Sequence, residues 1–216
     1  MARCAIIVYS TAMARWEPGA EARLRKAALD LYLKRGYENV TATDIAEHAG
    51  LARRTLFRYF ADKREVLFAG SEQLPDAATQ AVHDAPTALA PLDTVLHALD
   101  LIGTQLAQYS RHARERRTVI ASSPELQERE RTKLAALTNA IAQALSQRQV
   151  PRARAELLAQ VGVATFQAAW GQWVDQADDA SFHDCFEQAA ADLKSAFAAS
   201  IRPSQPSRTR RAAQGT

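Results

Sequence analysis

A short segment after a turn carries several cationic and hydroxyl side chains that could bind nucleic acid. In order they are Arg53, Arg54, Thr55, Arg58 and Tyr59. Guanidinium and hydroxyl groups bind phosphates and base edges, so this pattern is typical of a helix that enters the major groove of DNA. On an ordinary helical hairpin the same residues would form a solvated face, and the pattern alone leaves both interpretations open.

Two short helices are predicted to position these side chains. The first begins at Thr41, because a hydroxyl followed by Asp44 three residues later is a capping-box pattern. Gly50 permits the positive φ that ends this helix, and Ala46 is small where a second helix must cross closely. The apolar residues spaced to face each other across the turn are Ile45, Ala49, Leu51 and Leu56. Residues 41–60 therefore predict a helix-turn-helix.

A longer segment, 23–70, resembles the DNA-binding domain of the tetracycline-repressor (TetR/AcrR) family of regulators. The matching stretch, Ala27 to Phe68, reads AALDLYLKRGYENVTATDIAEHAGLARRTLFRYFADKREVLF. Its motifs are Gly36-Tyr37, then Thr41 with Asp44-Ile45-Ala46 and Ala49-Gly50, then Thr55-Leu56-Phe57-Arg58-Tyr59-Phe60 followed by Lys63. The resemblance implies a three-helix N-terminal DNA-binding domain, a larger helical regulatory domain, and double-stranded DNA as a partner.

The resemblance also implies which residues contact DNA first. Thr41 and Thr43 would contact phosphate or a groove edge. Arg53, Arg54 and Thr55 would enter the major groove, because they lie at the N-terminus of the recognition helix.

Four further residues are implied in DNA binding. Phe57 and Arg58 would contact bases or the sugar-phosphate backbone. Tyr59 and Lys63 would bind phosphates, Lys63 with help from the positive end of the helix expected to follow it. The chain departs from the family pattern at Ala52, where a serine or threonine cap is usual, and at Phe57, where a tyrosine is usual.

Composition and charge agree with one basic end on an acidic body. The 216 residues are 47% hydrophobic and 24% charged, with a net charge of +3. Residues 1–70 hold 12 Lys and Arg against 8 Asp and Glu, whereas residues 71–201 hold 11 against 16. The asymmetry favours contact of the first third with a polyanion. Two distant cysteines, Cys4 and Cys185, indicate a reducing, cytoplasmic compartment without a disulfide framework.

Almost every segment after Pro18 shows helical periodicity, and no alternation typical of strands is evident. The chain is therefore predicted to be all-α, with about nine helices. The predicted helices span 19–35, 41–49, 53–60, 62–83, 93–112, 118–121, 123–148, 151–176 and 181–201. The basic run 111–117 is expected to be a solvated helix end, with a second anion-binding patch as the alternative.

Four parts of the chain are predicted. Residues 1–18 form an N-terminal extension and 19–68 the helix-turn-helix domain. Residues 69–201 form the helical regulatory and dimerisation domain, and 202–216 a disordered basic tail.

The last two long helices carry apolar faces that exceed the needs of one core, and the resemblance implies a homodimer through them. The residues expected at this interface are Leu157, Val161, Ala164, Ala168, Phe182, Phe186, Leu193 and Phe197. An intramolecular core is the alternative.

A small-molecule effector is also implied by the resemblance, in a cavity between the regulatory helices. The candidate pocket residues are His97, Leu101, Gln105, Tyr109, Leu137, Ile141, Phe166, Trp170 and Trp173. Trp170 and Trp173 favour a planar, apolar ligand, and ordinary core or surface positions are the alternative for each residue.

No motif for catalysis, metal binding or nucleotide binding is present, so no enzyme activity, metal or cofactor is expected. His183 and Cys185 lie close in sequence but lack the other ligands of a zinc site. The sequence predicts a cytoplasmic, dimeric, ligand-responsive transcriptional regulator, most often a repressor of a palindromic operator. The alternative is a helical module that binds a ligand or partner without reading DNA.

Overall fold

The computed structural model describes residues 19–108, 110, 112–176 and 180–200, with side chains up to residue 196. Across these residues it has nine α-helices, two short 3-10 turns and no strand, so the all-α prediction is confirmed. The helices are α1 Ala20–Arg35, α2 Ala42–His48, α3 Arg53–Tyr59, α4 Leu74–Asp84, α5 Pro91–Gln108, α6 Ala113–Ala121, α7 Pro124–Gln147, α8 Arg152–Asp175 and α9 Phe182–Ser200. The extension 1–18, the tail 202–216, Cys4 and Tyr109 lie outside the described residues.

The continuous helix predicted over 62–83 is wrong. Asp62 does act as a cap, since its carboxylate accepts hydrogen bonds from the amides of Arg64 (2.8 Å) and Glu65 (3.2 Å). Only a 3-10 turn, Glu65–Phe68, follows. The backbone leaves the helical region at Ala69 and becomes left-handed at Gly70 (φ 82°), so α4 begins only at Leu74.

The chain divides into two compact units. Unit 1 comprises the described residues within 1–79 and 110–140, and unit 2 comprises those within 80–109 and 141–216. Residues 110–140 thus pack with the N-terminal part of the chain, although the sequence analysis had grouped them with the regulatory domain. The division falls within α4 and within α7.

Unit 1 is built around the apolar faces of α1, α2 and α3. Side chains of α6, α7 and the first 3-10 turn complete this core. Its fully buried members include Leu24, Ile45, Leu56, Phe68 and Leu126. Burial of these side chains on one face leaves the opposite faces of α2 and α3 to solvent.

Unit 2 is built around α5, α8 and α9, and two glycines allow these helices to approach closely. A Cβ on Gly162 of α8 would lie 2.3 Å from Val95 of α5. A Cβ on Gly103 of α5 would lie 2.1 Å from the ring of Phe182 on α9. Glycine is therefore required at both positions, because real Cβ atoms do not approach other atoms this closely.

Among the described residues, no helix combines the length and the apolar character needed to cross a membrane.

Candidate nucleic-acid interface

The first helix of the pair starts with the predicted capping box. The Thr41 hydroxyl accepts a hydrogen bond from the Asp44 amide (3.1 Å), and the Asp44 carboxylate accepts one from the Thr41 amide (2.8 Å). The Thr41 hydroxyl also donates to that carboxylate (2.5 Å). These bonds from Thr41 lower the pKa of Asp44. Thr41 therefore has a structural role at the start of α2, whereas Thr43 is exposed.

The turn between α2 and α3 is fixed by a left-handed glycine and by an arginine from α1. Gly50 has φ 66°, and the Leu51 amide donates to the Ala46 carbonyl at 2.8 Å. The Arg23 guanidinium donates to the carbonyls of Ala49 and Gly50. Arg23 was not predicted at this turn, because no local sequence signal indicates a partner 26 residues away.

Helix α3 buries one side and exposes its cations on the other. Leu56 is fully buried, whereas Arg53, Arg54 and Arg58 are exposed. Phe57 is 45% exposed. The structure thus brings the predicted arginines together on one solvent-facing surface, which we call the α3 cationic face (Arg53, Arg54, Phe57 and Arg58).

Aromatic rings hold two of these guanidinium groups. Arg53 lies over the Phe57 ring at 5.1 Å from its centroid, and Arg58 lies over the Tyr59 ring at 5.2 Å. Such cation–π contacts restrict the arginines without using their N–H donors. Thr55 and Tyr59 are half-buried beside them.

Lys63 does not occupy the environment expected for it. Its ammonium donates to the carbonyls of Tyr37 and Val40, both at 2.9 Å, and lies 4.1 Å from the Tyr37 ring centroid. Two of its three N–H donors are thereby used inside unit 1. The prediction that the positive end of a following helix helps Lys63 to bind phosphate is wrong, since α4 begins only at Leu74.

The segment after α3 is fastened to α1. The Tyr32 hydroxyl donates to the Lys63 carbonyl at 2.7 Å, and its ring meets Tyr37 edge-on at 5.3 Å. Burial raises the pKa of Tyr32 above its ordinary value, so the hydroxyl stays protonated as a donor. Together with Lys63, these contacts set the position of the chain directly after the α3 cationic face.

A buried ion cluster lies in the 3-10 turn that follows. Glu65 is only 7% exposed and accepts bonds from Arg129 (2.5 Å) and Lys133 (3.1 Å) of α7. Burial alone would raise the pKa of Glu65, but hydrogen bonds from these two cations outweigh it and lower the pKa. Nearby, Arg116 of the basic run 111–117 donates to the Leu67 carbonyl at 2.7 Å. Arg116 therefore makes a structural contact within unit 1, and the prediction that the run 111–117 is a solvated helix end is wrong for this residue.

In unit 2, the residues predicted for a ligand pocket fall into separate groups. Phe166, Trp170 and Trp173 pack on one another and on Phe182, with ring centroids 4.9–6.4 Å apart. His97, Leu101 and Gln105 form an exposed stripe on α5, and Ile141 is fully buried. Leu137 is buried and belongs to unit 1.

The residues predicted for a dimer interface are likewise divided. Phe182 and Phe186 are buried within unit 2. On α8, Leu157 is 59% exposed, Ala164 and Ala168 are exposed, and Val161 is half-buried. We call these four residues the α8 stripe. Leu193 is half-buried, and the side chain of Phe197 lies outside the described set.

Comparison with known proteins assigns the family. Residues 24–69 match the model of the tetR family of bacterial regulatory proteins, and residues 89–198 match that of the MftR C-terminal domain. A candidate mycofactocin biosynthesis regulator, MftR of Mycobacterium tuberculosis, is 34% identical over 123 residues, 56% of this chain and 61% of that protein. The regulator TcmR of Streptomyces glaucescens is 36% identical over 73 residues, 34% of this chain and 32% of that protein. The chain thus spans less than two thirds of either relative.

The solved structures agree with this fold. FadR of Bacillus subtilis, in complex with stearoyl-CoA, superposes with a TM-score of 0.56 at 17% identity, covering 80% of this chain and 96% of FadR. The family resemblance drawn from residues 23–70 is confirmed. The chain belongs to the TetR family of bacterial regulatory proteins.

Proposed function

We propose that this chain is a cytoplasmic repressor that binds a palindromic operator as a homodimer and releases it when a small molecule binds in unit 2. The observation that carries the proposal is the α3 cationic face. It combines three exposed guanidinium groups and a half-exposed phenyl ring on one short helix. Guanidinium groups pair with guanine edges and phosphates, and the Phe57 ring can contact a thymine methyl group.

The α8 stripe supports the dimer. Its members recur at steps of four, three and four residues, so they line one side of the helix. The side is apolar, its two alanines let a second helix approach closely, and no charged residue interrupts it. A twofold protein also matches a palindromic site, whose half-sites lie about one helical turn apart.

The aromatic side chains of unit 2 support an apolar effector. Phe166, Trp170 and Trp173 supply polarisable rings close to one another, as a planar or aliphatic ligand requires. The neighbour FadR is in complex with an acyl-CoA, which has a long apolar chain. Release would follow from a higher affinity of the effector for the conformation that does not fit DNA.

Selection of the purified full chain on random duplex DNA, at one fixed moderate salt concentration, tests the DNA-binding proposal. We expect enrichment of a palindrome, bound by two chains as measured by analytical ultracentrifugation. The matched control replaces Arg53, Arg54 and Arg58 together with alanine, since all three are exposed and the fold should survive. Equal enrichment by this variant, or no enrichment by the folded parent, would contradict the proposal.

The effector is tested separately on the selected operator. A panel of acyl-CoAs and planar aromatic compounds is added to the protein–DNA complex, and release is read by fluorescence anisotropy. We expect at least one compound both to release DNA and to raise the melting temperature of the protein. Compounds that bind without releasing DNA would contradict the repressor mechanism.

A further inference from the structure

Three metal-ligating side chains from two helices of unit 2 converge at its surface. Asp100 lies on α5, and His183 and Glu187 lie on α9. One ligand atom from each residue lies within 4.8 Å of the others. His183 Nδ1 is 2.8 Å from one oxygen of Asp100 and 3.0 Å from the other.

The packing of α5 on α9 explains why these groups meet. Gly103, one turn after Asp100, admits the ring of Phe182 so closely that a Cβ there would collide with it. His183 follows Phe182 directly, so the same close approach carries its imidazole to Asp100. Glu187 lies four residues after His183, and residues at this spacing share one face of a helix.

The side chains are accessible enough to accept an ion from solution. Asp100 is 16% exposed and His183 is 52% exposed. A further carboxylate, Asp184, adjoins His183 in the sequence and adds negative charge. An ion pair between Asp100 and His183 is the simpler use of two of these groups, and the charge of Glu187 also favours protonated His183. A metal ion would use all three groups, since each offers a ligand atom within 4.8 Å of the others.

We propose that Asp100, His183 and Glu187 form a binding site for a divalent transition-metal cation, with Zn²⁺ as the best fit. One imidazole nitrogen and two carboxylate oxygens are ligands that Zn²⁺ accepts, and three protein ligands leave one tetrahedral position for water. Ligand atoms each about 2.0–2.2 Å from a shared ion would lie about 3–4 Å apart. The three ligand atoms lie within 4.8 Å of one another, and the Asp100–His183 pair, at 2.8 Å, would separate slightly as the ion replaced the shared proton. This set does not form a local motif in the sequence, since Asp100 lies 83 residues before His183.

A bound ion would tie α9 to α5 at the edge of the aromatic side chains. It would therefore stabilise unit 2, because the unfolded chain does not hold the three ligands together. This site is independent of the proposed DNA binding, so either can fail without the other.

The test uses the full chain stripped with a chelator and then titrated with Zn²⁺ in competition with a chromogenic chelator. We expect one ion per chain at this site and a rise in melting temperature. Asp100→Asn, His183→Ala and Glu187→Gln should each weaken Zn²⁺ affinity by about tenfold or more. Asp93→Asn is the matched control: it removes another α5 carboxylate, paired with Lys194 of α9 at 2.8 Å, and should leave the affinity unchanged.

Two results would overturn the proposal. One is no Zn²⁺ binding by the folded parent at concentrations up to about 1 mM, where ordinary ion pairs suffice as an explanation. The other is binding that none of the three ligand substitutions weakens. Glu187→Gln separates loss of metal binding from loss of folding, because Glu187 is exposed and its replacement should not disturb the core.

Discussion

Cationic side chains of unit 1 have two contrasting environments. On α3, Arg53 and Arg54 are exposed, and the Arg53 guanidinium lies over the face of the Phe57 ring. On α7, Arg129 and Lys133 are paired with the buried Glu65. The first pair can exchange water for phosphate, whereas the second is committed to a carboxylate. The number of Lys and Arg residues in this unit is therefore larger than the number that are available to bind DNA.

Removal of Glu65 should produce the largest effect. Glu65→Ala leaves Arg129 and Lys133 without their buried partner, and we expect a loss of about 3 kcal/mol in the free energy of unfolding. Urea denaturation followed by circular dichroism measures it. Glu72→Ala is the control, because Glu72 is 59% exposed and also contacts Lys133, at 3.6 Å. The control should cost less than about 1 kcal/mol.

The pH dependence of stability gives a second measure of the same cluster. The pKa of Glu65 is lowered in the folded state, so its contribution is present above the unfolded value of about 4.3. It is lost as the pH falls through the folded-state pKa. The stability difference between the parent and Glu65→Gln should therefore shrink below about pH 4. A difference that stays constant from pH 7 to pH 3 would mean that the carboxylate charge is not what stabilises the cluster.

The exposed pair, Arg53 and Arg54, should affect DNA binding and not stability. Arg54→Ala should weaken operator binding by about 1–3 kcal/mol and relax the preference at one base position. The stability should not change, since Arg54 is exposed. Fluorescence anisotropy on operator and scrambled duplexes measures both affinities.

Arg152→Ala is its control, because Arg152 is an exposed arginine of unit 2 paired with Glu156 at 2.8 Å. The substitution changes net charge equally. If it weakens operator binding as much as Arg54→Ala does, then DNA binding depends on overall charge and the α3 cationic face has no special role.

Features of unit 1 that depend on neighbouring residues in the sequence could be predicted, whereas features that depend on distant residues could not. The capping box at Thr41, the turn at Gly50 and the buried Leu56 are local signals, and the structure confirms each of them. The environments of Lys63 and Arg116 depend on carbonyls more than 20 residues away. The periodicity of a sequence does not indicate such distant partners. Lys63 was therefore predicted to bind phosphate, and Arg116 to be solvated.

The same limit applies in unit 2 and at the start of α4. Asp62 caps the next turn as its pattern predicts, but the helix does not continue, because the backbone leaves the helical region at Ala69 and is left-handed at Gly70. The stacking of Trp170 and the burial of Phe186 follow from the packing of α5, α8 and α9. An amphipathic pattern identifies a helix's apolar face without naming which neighbour covers it.

Lys63 belongs to neither environment, because its ammonium binds carbonyls of unit 1 instead of solvent or a carboxylate. Lys63→Met keeps the side-chain stem and removes the ammonium from two carbonyls. We expect a loss of about 1–2 kcal/mol in stability, because hydrogen bonds from a charged donor are lost. The slope of log affinity against log salt concentration should not change.

Two measurements separate this role from a phosphate contact. A slope reduced by about 0.9 would indicate that Lys63 also neutralises one phosphate. Unchanged stability would contradict the structural role. Lys34→Met, an exposed lysine on α1, is the control for the loss of one charge.

The smallest effect is expected at the start of α3. α2 begins with a complete capping box, whereas Ala52 provides no side-chain bond to α3. Ala52→Ser should stabilise the unit by about 0.5–1 kcal/mol, because its hydroxyl can accept from an amide in the first turn. Urea denaturation measures the gain, and Ala52→Val, which lacks an acceptor, should give none. No gain from serine would mean that burial of Leu56 alone holds α3 in place, and that the DNA-reading helix owes its position to tertiary packing and not to its own sequence.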